Sequence, residues 1–450
     1  MVCSHATHAA TRPPALANAP TRPRRWKREK MEPMSRPFTV VTKPTGAACN
    51  LDCTYCFFLS KELLYDHGSQ MMSPETLETY IRTFLENQSD GPVTLIWQGG
   101  EPTLRGLDFY RLAVELGKKY ARPGQQVGHA MQTNATLLSD EWGEFLRENN
   151  FLMGVSIDGP EHIHDAYRVN KAGRGSFQQV KRGWEVLAKH GVERNILCTV
   201  HAANEDHGVE VYRYFTEELG AQYLQFIPIV ERVPTDKLPI AEDGWRVNRR
   251  ERLLYTQQGQ SVTSRSVSPA GWGKFLSGIF DYWLQRDVGR IYVQHFDTML
   301  GNLMGQYSVC VHAPTCGDAL AVEHNGDVYS CDHYVEPDYL LGNVTAGDSF
   351  AKLLDSPFQR GFGEAKMTQL PSTCLQCPVR RFCHGGCPKD RFLPDADGGN
   401  QLNYLCEGYF DFFSHAKPYV VGMGRLLRAG RAPAEIMHPQ VRERVVPKAR

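Results

Sequence analysis

The chain has 450 residues, of which 42% are apolar, and it carries 50 Lys and Arg residues against 50 Asp and Glu residues. This length is enough for two or three domains with a substantial core. The basic residues are concentrated at the two ends, within 1–36 and 417–450, so the middle of the chain has 34 basic against 46 acidic residues. That balance argues against a nucleic-acid channel through the body of the protein.

Two targeting classes are disfavoured by the sequence. No apolar run approaches the roughly 18 residues that a membrane-spanning helix needs, so we expect a soluble protein without a membrane partner. Residues 1–36 are basic and rich in Pro, but no apolar segment follows their charges, which disfavours a secretory signal. We expect a disordered extension or a true start at Met31 or Met34, with an organelle transit peptide as the alternative, and a cytoplasmic location.

From residue 37 onward, short runs rich in β-branched and aromatic residues alternate with helical patterns. The predicted strands are 37–43, 93–98, 127–134, 151–158, 195–201 and 223–230. Amphipathic helices are predicted at 73–88, 139–150 and 175–191, the first with Ser73 as its N-cap. Six strand–helix units in series predict a parallel sheet with helices outside it, closed or partly closed like a barrel, with ligands at the carboxyl ends of the strands.

The pattern of apolar and polar residues changes at Cys310. Regular periodicity gives way to short hairpin-like pieces, and Asn325-Gly326 is a strong turn signal. We expect this loop-rich region to be stabilised by metal more than by a hydrophobic core. The predicted segments are a basic N-terminal extension (1–36), a barrel (37–235), a connecting helical segment (236–309), a Cys-rich domain (310–415) and a basic C-terminal tail (416–450).

The first group of cysteines follows the first predicted strand, in the sequence CNLDCTYC at residues 49–56. Thirteen cysteines are too few for a disulfide scaffold in a chain of this length, and without a secretory signal metal binding is favoured. Cys49, Cys53 and Cys56 can ligate three irons of a cubane cluster, and the absence of a fourth nearby cysteine leaves one iron open for an external ligand. The alternatives are a zinc site completed by His67, or unrelated buried cysteines.

Small and polar residues stand at the ends of two further strands. In WQGGEP, residues 97–102, Gly99 and Gly100 let the backbone approach a ligand closely, and Glu101 places a carboxylate at the strand tip. A simple turn is the alternative for the two glycines, and capping or surface roles are the alternatives for the polar residues near the fourth strand. Those polar residues are Ser156, Asp158 and Arg168.

Eight cysteines lie in the C-terminal region, which is just enough for two clusters with four cysteine ligands each. They are Cys310, Cys316, Cys331, Cys374, Cys377, Cys383, Cys387 and Cys406. Two zinc sites of four thiolates each are the structural alternative, because Cys-x2-Cys is also a zinc-ribbon spacing.

The three-Cys loop after the first strand, followed by the Gly-Gly-Glu motif, resembles the radical SAM superfamily. The C-terminal Cys array resembles the SPASM domain of that superfamily, and the overall likeness, over about residues 37–415, is to the anaerobic sulfatase-maturating enzymes. The resemblance implies an α/β fold with a partial (β/α)6 TIM-like barrel followed by a small SPASM domain. It also implies S-adenosylmethionine as cofactor, bound at the open iron of one [4Fe-4S] cluster, and two auxiliary [4Fe-4S] clusters.

The resemblance also assigns roles to individual residues. Gln98 matches a contact with the substrate peptide, and Asp332, directly after Cys331, matches the catalytic base; a turn-capping carboxylate is the ordinary reading of Asp332. The implied contacts with S-adenosylmethionine are Tyr55, Gly99, Gly100, Glu101, Ser156, Arg168 and Ile229. The implied cluster ligands are Cys49, Cys53 and Cys56 for the first cluster, Cys310, Cys316, Cys331 and Cys387 for one auxiliary cluster, and Cys374, Cys377, Cys383 and Cys406 for the other.

The activity implied is the oxidation of one Cys or Ser side chain in a newly made sulfatase to Cα-formylglycine. The expected partners are the sulfatase polypeptide and an electron donor such as flavodoxin or ferredoxin, with neither nucleic acid nor membrane involved. Two alternatives remain open: a SPASM-type maturase that crosslinks a ribosomally made peptide, and a non-catalytic zinc-binding adaptor.

Overall fold

The computed structural model describes residues 37–65, 71–245, 251–395 and 397–447. The predicted extension 1–36 and the alternative zinc ligand His67 lie outside these residues, as do the last three residues of the predicted tail. The described residues belong to one compact unit.

Strands in the described ranges include all six predicted from the sequence. They are β1 (Thr39–Thr42), β2 (Gly91–Trp97), β3 (Gln125–Thr133), β4 (Phe151–Ser156), β5 (Arg194–Val200), β6 (Tyr223–Pro228), β7 (Arg232–Val233), β8 (Ser261–Val262), β9 (Tyr292–Val293), β10 (Ala319–Val322), β11 (Asp327–Tyr329), β12 (Leu340–Asn343), β13 (Arg391–Leu393) and β14 (Leu402–Asn403).

The α-helices in the same ranges include the three predicted between the first strands, and Ser73 caps the first of them by accepting a hydrogen bond from the Thr76 amide. They are α1 (Pro74–Asn87), α2 (Leu107–Tyr120), α3 (Asp140–Glu148), α4 (Glu161–His164), α5 (Phe177–Lys189), α6 (Gly208–Arg213), α7 (Leu238–Glu242), α8 (Pro269–Arg286), α9 (Gln294–Leu303), α10 (Phe350–Leu354), α11 (Pro357–Thr368), α12 (Ser372–Gln376), α13 (Arg380–Cys383), α14 (Cys406–Arg428) and α15 (Pro439–Val445).

One ten-stranded sheet organises the molecule, in the order β12-β11-β10-β1-β2-β3-β4-β5-β6-β9. Strands β1 to β6 are parallel and adjacent in chain order, with Trp97 opposite Met131 and Thr133 opposite Val155. Helices connect these strands, so their carboxyl ends lie at one edge of the sheet. This arrangement confirms the predicted partial (β/α)6 barrel.

The Cys-rich region extends the barrel sheet. Strand β10 pairs in parallel with β1, with Thr39 opposite Ala319 and Thr42 opposite Val322, and β11 and β12 continue the sheet in antiparallel pairing. The turn between β10 and β11 uses Gly326 at a φ of 90°, as the Asn-Gly signal predicts. Leu320, Val322 and Val328 are fully buried in the main core, so a hydrophobic core supports this region in addition to any metal.

Helices α8 and α14 form the other large packing unit. Phe280 of α8 and Phe412 of α14 meet with ring centres 6.2 Å apart, and Phe296 of α9 packs against both. Helix α14 runs to Arg428, so the predicted boundary at 415 falls inside it, and much of the predicted tail is helical. No helix in the described ranges is both long and apolar enough to cross a membrane.

Candidate functional site

A cavity of about 270 Å³ opens at the carboxyl ends of the parallel strands. Residues that are far apart in the sequence line this one space, and they include every residue predicted to contact S-adenosylmethionine or the substrate, together with the first cysteine group. These residues are Cys49, Cys53, Tyr55, Cys56, Gln98, Gly99, Gly100, Glu101, Ser156, Arg168, Ile229 and Asp332.

The cysteine loop is held in place by backbone hydrogen bonds. The amides of Asp52 and Thr54 donate to the carbonyls of Val169 and Tyr167, at 2.8 and 2.9 Å. Burial raises the pKa of the Cys53 thiol to about 12, which disfavours an uncompensated thiolate at this position. Neighbouring buried thiols of this kind suit a bound metal group. Metal binding stabilises the thiolate form and releases the thiol protons.

The two glycines of the second strand end accommodate this loop. The Gly100 amide donates to the Gly46 carbonyl at 2.8 Å, and the Glu101 amide donates to the Ala48 carbonyl at 2.8 Å. A Cβ atom on Gly100 would lie 1.9 Å from the Ala48 carbonyl oxygen, and Gly99 has a φ of 112°. The sequence predicts a close approach of this backbone to a ligand, and in the structure both glycines also lie against the segment that leads into the cysteine loop.

Glu101 is almost fully buried and accepts four hydrogen bonds. Its Oε1 accepts from the amide and hydroxyl of Thr103 and from the hydroxyl of Thr133, and its Oε2 accepts from the Asn134 amide at 2.7 Å. Burial raises the pKa of Glu101, although these donors oppose the rise. The carboxylate is therefore rigidly oriented at the cavity wall, with Oε2 the less occupied of its oxygens.

Asp158 is the centre of a buried network below the cavity. Arg168 donates to it twice, from Nε at 2.8 Å and from Nη2 at 3.1 Å, and the Tyr55 hydroxyl donates to it at 2.6 Å. The Thr199 amide adds a fourth bond at 2.9 Å. Burial alone would raise the pKa of Asp158, but the charges of Arg168 and His201 hold it well below its ordinary value. The hydroxyl of Tyr55 and two of the three Arg168 nitrogens are thus already engaged by the protein.

Three further predicted residues have clear partners. Gln98 follows β2, and its backbone N–H donates to the Thr42 carbonyl at 2.9 Å. The hydroxyl of Ser156 accepts a hydrogen bond from Gln132 at 2.9 Å. Ile229 packs with the apolar cluster that surrounds the cysteine loop.

Lys43 is a site residue that the sequence analysis missed. It follows β1, is 1% exposed, and forms an ion pair with Asp332 across the cavity. Its Nζ also lies 4.2 Å from the centre of the Phe58 ring. The position of this lysine at the end of an apolar strand could have indicated a site residue. Its partner Asp332 is distant in the sequence, however, and no local pattern predicts the ion pair.

The second proposed auxiliary ligand set also surrounds one space. Cys374, Cys377, Cys383 and Cys406 all line a cavity of about 680 Å³. All twelve cysteines in the described ranges are free thiols, which leaves each of these groups available as ligands. Within the same ranges, no three His, Cys, Asp or Glu side chains form a group suited to a single metal ion.

The other auxiliary set is linked by electrostatics. Burial raises the pKa of Cys331 well above its ordinary value, and the negative charges of Cys387 and Cys310 raise it further. The pKa of Cys316 is raised to about 11, first by burial and also by the charge of Cys310. Cys310 thus contributes to the pKa shifts of both Cys331 and Cys316, and Cys387 contributes to that of Cys331. The remaining described cysteine, Cys198, is buried elsewhere and donates to the Asp158 carbonyl.

Comparison with known protein families identifies both halves of this arrangement. Residues 44–215 match the model of the radical SAM superfamily, and residues 310–378 match the SPASM iron–sulfur cluster-binding domain. The first match contains the three-Cys loop, and the second begins at Cys310.

Curated relatives cover nearly the whole chain. It is 45% identical over 407 residues to the serine-type anaerobic sulfatase-maturating enzyme of Bacteroides thetaiotaomicron, covering 90% of this chain and 95% of that protein. It is 32% identical over 398 residues to the cysteine-type enzyme of Clostridium perfringens, covering 87% of this chain and all of that protein.

Solved structures agree with these relatives. A structure of native anSMEcpe with bound AdoMet and Cp18Cys peptide matches with a TM-score of 0.73 at 31% identity, covering 87% of this chain and 99% of that one. The structure of Streptococcus suis SuiB bound to S-adenosylmethionine matches with a TM-score of 0.51 at 15% identity, which reflects the fold alone. The chain is therefore a radical SAM oxidoreductase with S-adenosylmethionine and iron–sulfur clusters as cofactors, and it belongs to the anaerobic sulfatase-maturating enzymes.

Proposed function

We propose that this protein oxidises one Cys or Ser side chain of a sulfatase polypeptide to Cα-formylglycine, inside the cytoplasm and with flavodoxin or ferredoxin as electron donor. The observation that carries the proposal is the shared cavity, where Asp332 of the SPASM domain faces the three-Cys loop of the barrel. The radical source must reach the substrate Cβ, and the base must reach the thiol or hydroxyl group on that carbon, so both must act within one space.

The cysteine groups fit three [4Fe-4S] clusters. Cys49, Cys53 and Cys56 leave one iron open, which suits a cluster that binds S-adenosylmethionine. The two auxiliary clusters would be held by Cys310, Cys316, Cys331 and Cys387, and by Cys374, Cys377, Cys383 and Cys406. When bound, S-adenosylmethionine and its cluster supply the radical that takes a hydrogen atom from the substrate Cβ, and the auxiliary clusters supply an acceptor for the remaining electron.

The cavity wall orients the cofactor and the peptide in this proposal. The glycines Gly99 and Gly100 and the oriented carboxylate of Glu101 hold the methionine end, while Ser156 and Nη1 of Arg168 reach its polar groups. Tyr55 contributes its ring, because its hydroxyl already donates a hydrogen bond to Asp158. Ile229 contributes an apolar contact for the adenine end. Gln98 contacts the substrate peptide.

Asp332 takes the thiol or hydroxyl proton of the substrate. Burial would raise its pKa, but the charge of Lys43 outweighs that effect and lowers it, so the side chain is a carboxylate ready to accept a proton. Lys43 therefore keeps the base charged and holds it at the cavity wall. One hydrogen atom, one proton and one electron removed from the side chain make up the two-electron oxidation. A Ser side chain gives the aldehyde directly, whereas a Cys side chain gives a thioaldehyde, which water then hydrolyses to the aldehyde with release of hydrogen sulfide.

The deciding experiment is mass spectrometry of sulfatase-derived peptides after incubation with anaerobically reconstituted protein, S-adenosylmethionine and a reductant. Paired Cys and Ser peptides should yield the aldehyde, together with 5′-deoxyadenosine. The matched control is the Cys49→Ala, Cys53→Ala, Cys56→Ala variant, which should form neither product. A crosslinked peptide without aldehyde would contradict the proposal and support the alternative maturase.

Cluster number is tested separately by metal analysis. Four iron atoms in each cubane predict about twelve iron atoms per chain, and about eight in the triple-alanine variant. About four iron atoms with zinc in the remaining sites would contradict the auxiliary clusters.

A further inference from the structure

Two buried cations of the Cys-rich region, Lys366 and Arg391, have no acidic partner among the described residues. Lys366 is 1% exposed and Arg391 is 8% exposed, and neither forms an ion pair with any carboxylate among the described residues. A buried charge is costly unless an opposite charge compensates it. Their position therefore calls for an anionic group close by.

Lys366, in the last turn of α11, holds the loop that begins at Cys310. Its Nζ donates to the carbonyl oxygens of Cys310 at 2.7 Å and Val311 at 3.0 Å, and also to that of Ala313. Three bonds from one ammonium group to three carbonyls fix both the loop and the position of the charge. Cys310 is a proposed ligand of the first auxiliary cluster.

Arg391, at the start of β13, connects the end of α11 to a second loop. Its Nη1 donates to the backbone carbonyl of Lys366 at 2.9 Å, and its Nε and Nη2 donate to the carbonyls of Gly385 and His384, each at 3.0 Å. Gly385 and His384 lie between Cys383 and Cys387, which belong to different proposed clusters. One guanidinium group thus braces the peptide segment that the two auxiliary sites share.

Both cations therefore lie against peptide segments that carry proposed cluster ligands. Lys366 is bonded to the carbonyl of Cys310 itself. Arg391 is bonded to the segment between Cys383 and Cys387, whose two cysteines belong to different sets, so it adjoins both auxiliary sites.

We propose that Lys366 and Arg391 are positioning residues that supply the missing counter-charge to the auxiliary clusters and raise the reduction potentials of both. The inference rests on the cluster assignment of the proposed function. A cluster with four thiolates is already anionic, and accepting one electron adds another negative charge. A fixed buried cation favours this reduced form, because net charge and local polarity set the potential of such clusters. The electron lost by the substrate radical is then accepted more readily.

Redox titration followed by electron paramagnetic resonance tests this inference in the full chain. The Cys49→Ala, Cys53→Ala, Cys56→Ala background leaves only the auxiliary signals. On that background, Lys366→Met and Arg391→Met should keep about eight iron atoms and titrate at more negative potentials. Lys366→Arg and Arg391→Lys, which retain the charge, should stay close to the parent. The matched control is Lys352→Met, whose side chain is 79% exposed in the same domain.

Each outcome decides the inference. Unchanged midpoints in both methionine variants, with iron retained, would overturn it. A methionine variant could also lose auxiliary iron. In that case, iron retained by the charge-preserving variant but lost by Lys366→Gln would support the counter-charge role. Loss of iron in all of these variants would overturn it. A parent with only about four iron atoms would overturn the cluster assignment itself, which distinguishes failure of the proposed function from failure of this inference.

Discussion

The ammonium group of Lys43, at the end of β1, forms an ion pair with the carboxylate of Asp332, in the turn after Cys331. The two residues belong to the barrel and to the SPASM domain, and the pair lies at the wall of the cavity that contains the cysteine loop. Strand β10 pairs with β1, and its neighbour β11 leads into this turn, so the sheet itself brings the two side chains together.

We expect Lys43→Met to slow aldehyde formation by about tenfold or more, but by less than the ~10²–10⁴ that loss of the general base itself would cost. Loss of the ammonium leaves the Asp332 carboxylate without its partner. The stability loss should be smaller than the ~3–5 kcal/mol of a fully buried pair, because Asp332 is 27% exposed. Product mass spectrometry and urea unfolding measure the two effects, and Lys43→Arg should recover most of the activity. An unchanged aldehyde rate in Lys43→Met would contradict a role for the pair.

Asp332→Asn should still hold all clusters and cleave S-adenosylmethionine, yet form aldehyde ~10²–10⁴ times more slowly. The amide keeps the shape of the side chain but cannot accept the substrate proton. Both 5′-deoxyadenosine and aldehyde are quantified in the same reaction. Asp338→Asn is the matched control, since Asp338 is an exposed aspartate in the same segment. Equal loss of both products would indicate a structural role beside Cys331 instead.

Local sequence patterns were sufficient for the barrel and for the cysteine groups. Alternating strand and helix patterns, the Ser73 cap and the Asn325-Gly326 turn all depend on neighbouring residues, and each is present in the structure. Cysteine spacing is equally local, which is why the loop at 49–56 could be identified before any fold was known.

The missing parts depend on contacts between distant segments. No pattern near Ala319–Val322 indicates that this strand pairs with β1, because a four-residue strand carries no information about its partner. Lys43 and Arg391 read as ordinary basic residues in the sequence, and only the fold shows that they are buried. The contact of Gly100 with Ala48 is likewise outside any local pattern, since Ala48 is its neighbour only in space.

We expect Arg168→Met to destabilise the protein by ~3–5 kcal/mol, because it leaves the fully buried Asp158 carboxylate uncompensated. The exposed pair Arg213–Glu217 offers a matched control, and Arg213→Met should cost less than ~1 kcal/mol. Denaturant unfolding measures both variants. A cost for Arg168→Met no larger than that of the control would contradict the central place of this network.

The same network predicts a pH dependence. Burial would raise the pKa of Asp158, but Arg168 and His201 lower it, so the folded state binds fewer protons than the unfolded state. The stabilisation by Asp158 is therefore fully present above the ordinary aspartate pKa of about 4, and it is lost as the pH falls below that value toward the folded pKa. Unfolding of parent and Asp158→Asn at stepped pH should show their difference shrinking only in this acidic range. A difference that is already lost near neutral pH would contradict it.

Gly100→Ala should displace the cysteine loop. We expect a clear loss of S-adenosylmethionine cleavage and only a modest decrease in the free energy of unfolding. The added Cβ would lie 1.9 Å from the Ala48 carbonyl oxygen, so the loop must shift, and Cys49 follows Ala48 directly. Such overpacking costs ~1–3 kcal/mol. Gly128→Ala is the matched control, because no atom lies within 4 Å of the Cβ it would add. Formation of 5′-deoxyadenosine and urea unfolding are measured for both variants. If the two alanine variants behave alike, the contact between Gly100 and Ala48 does not position the cluster ligands.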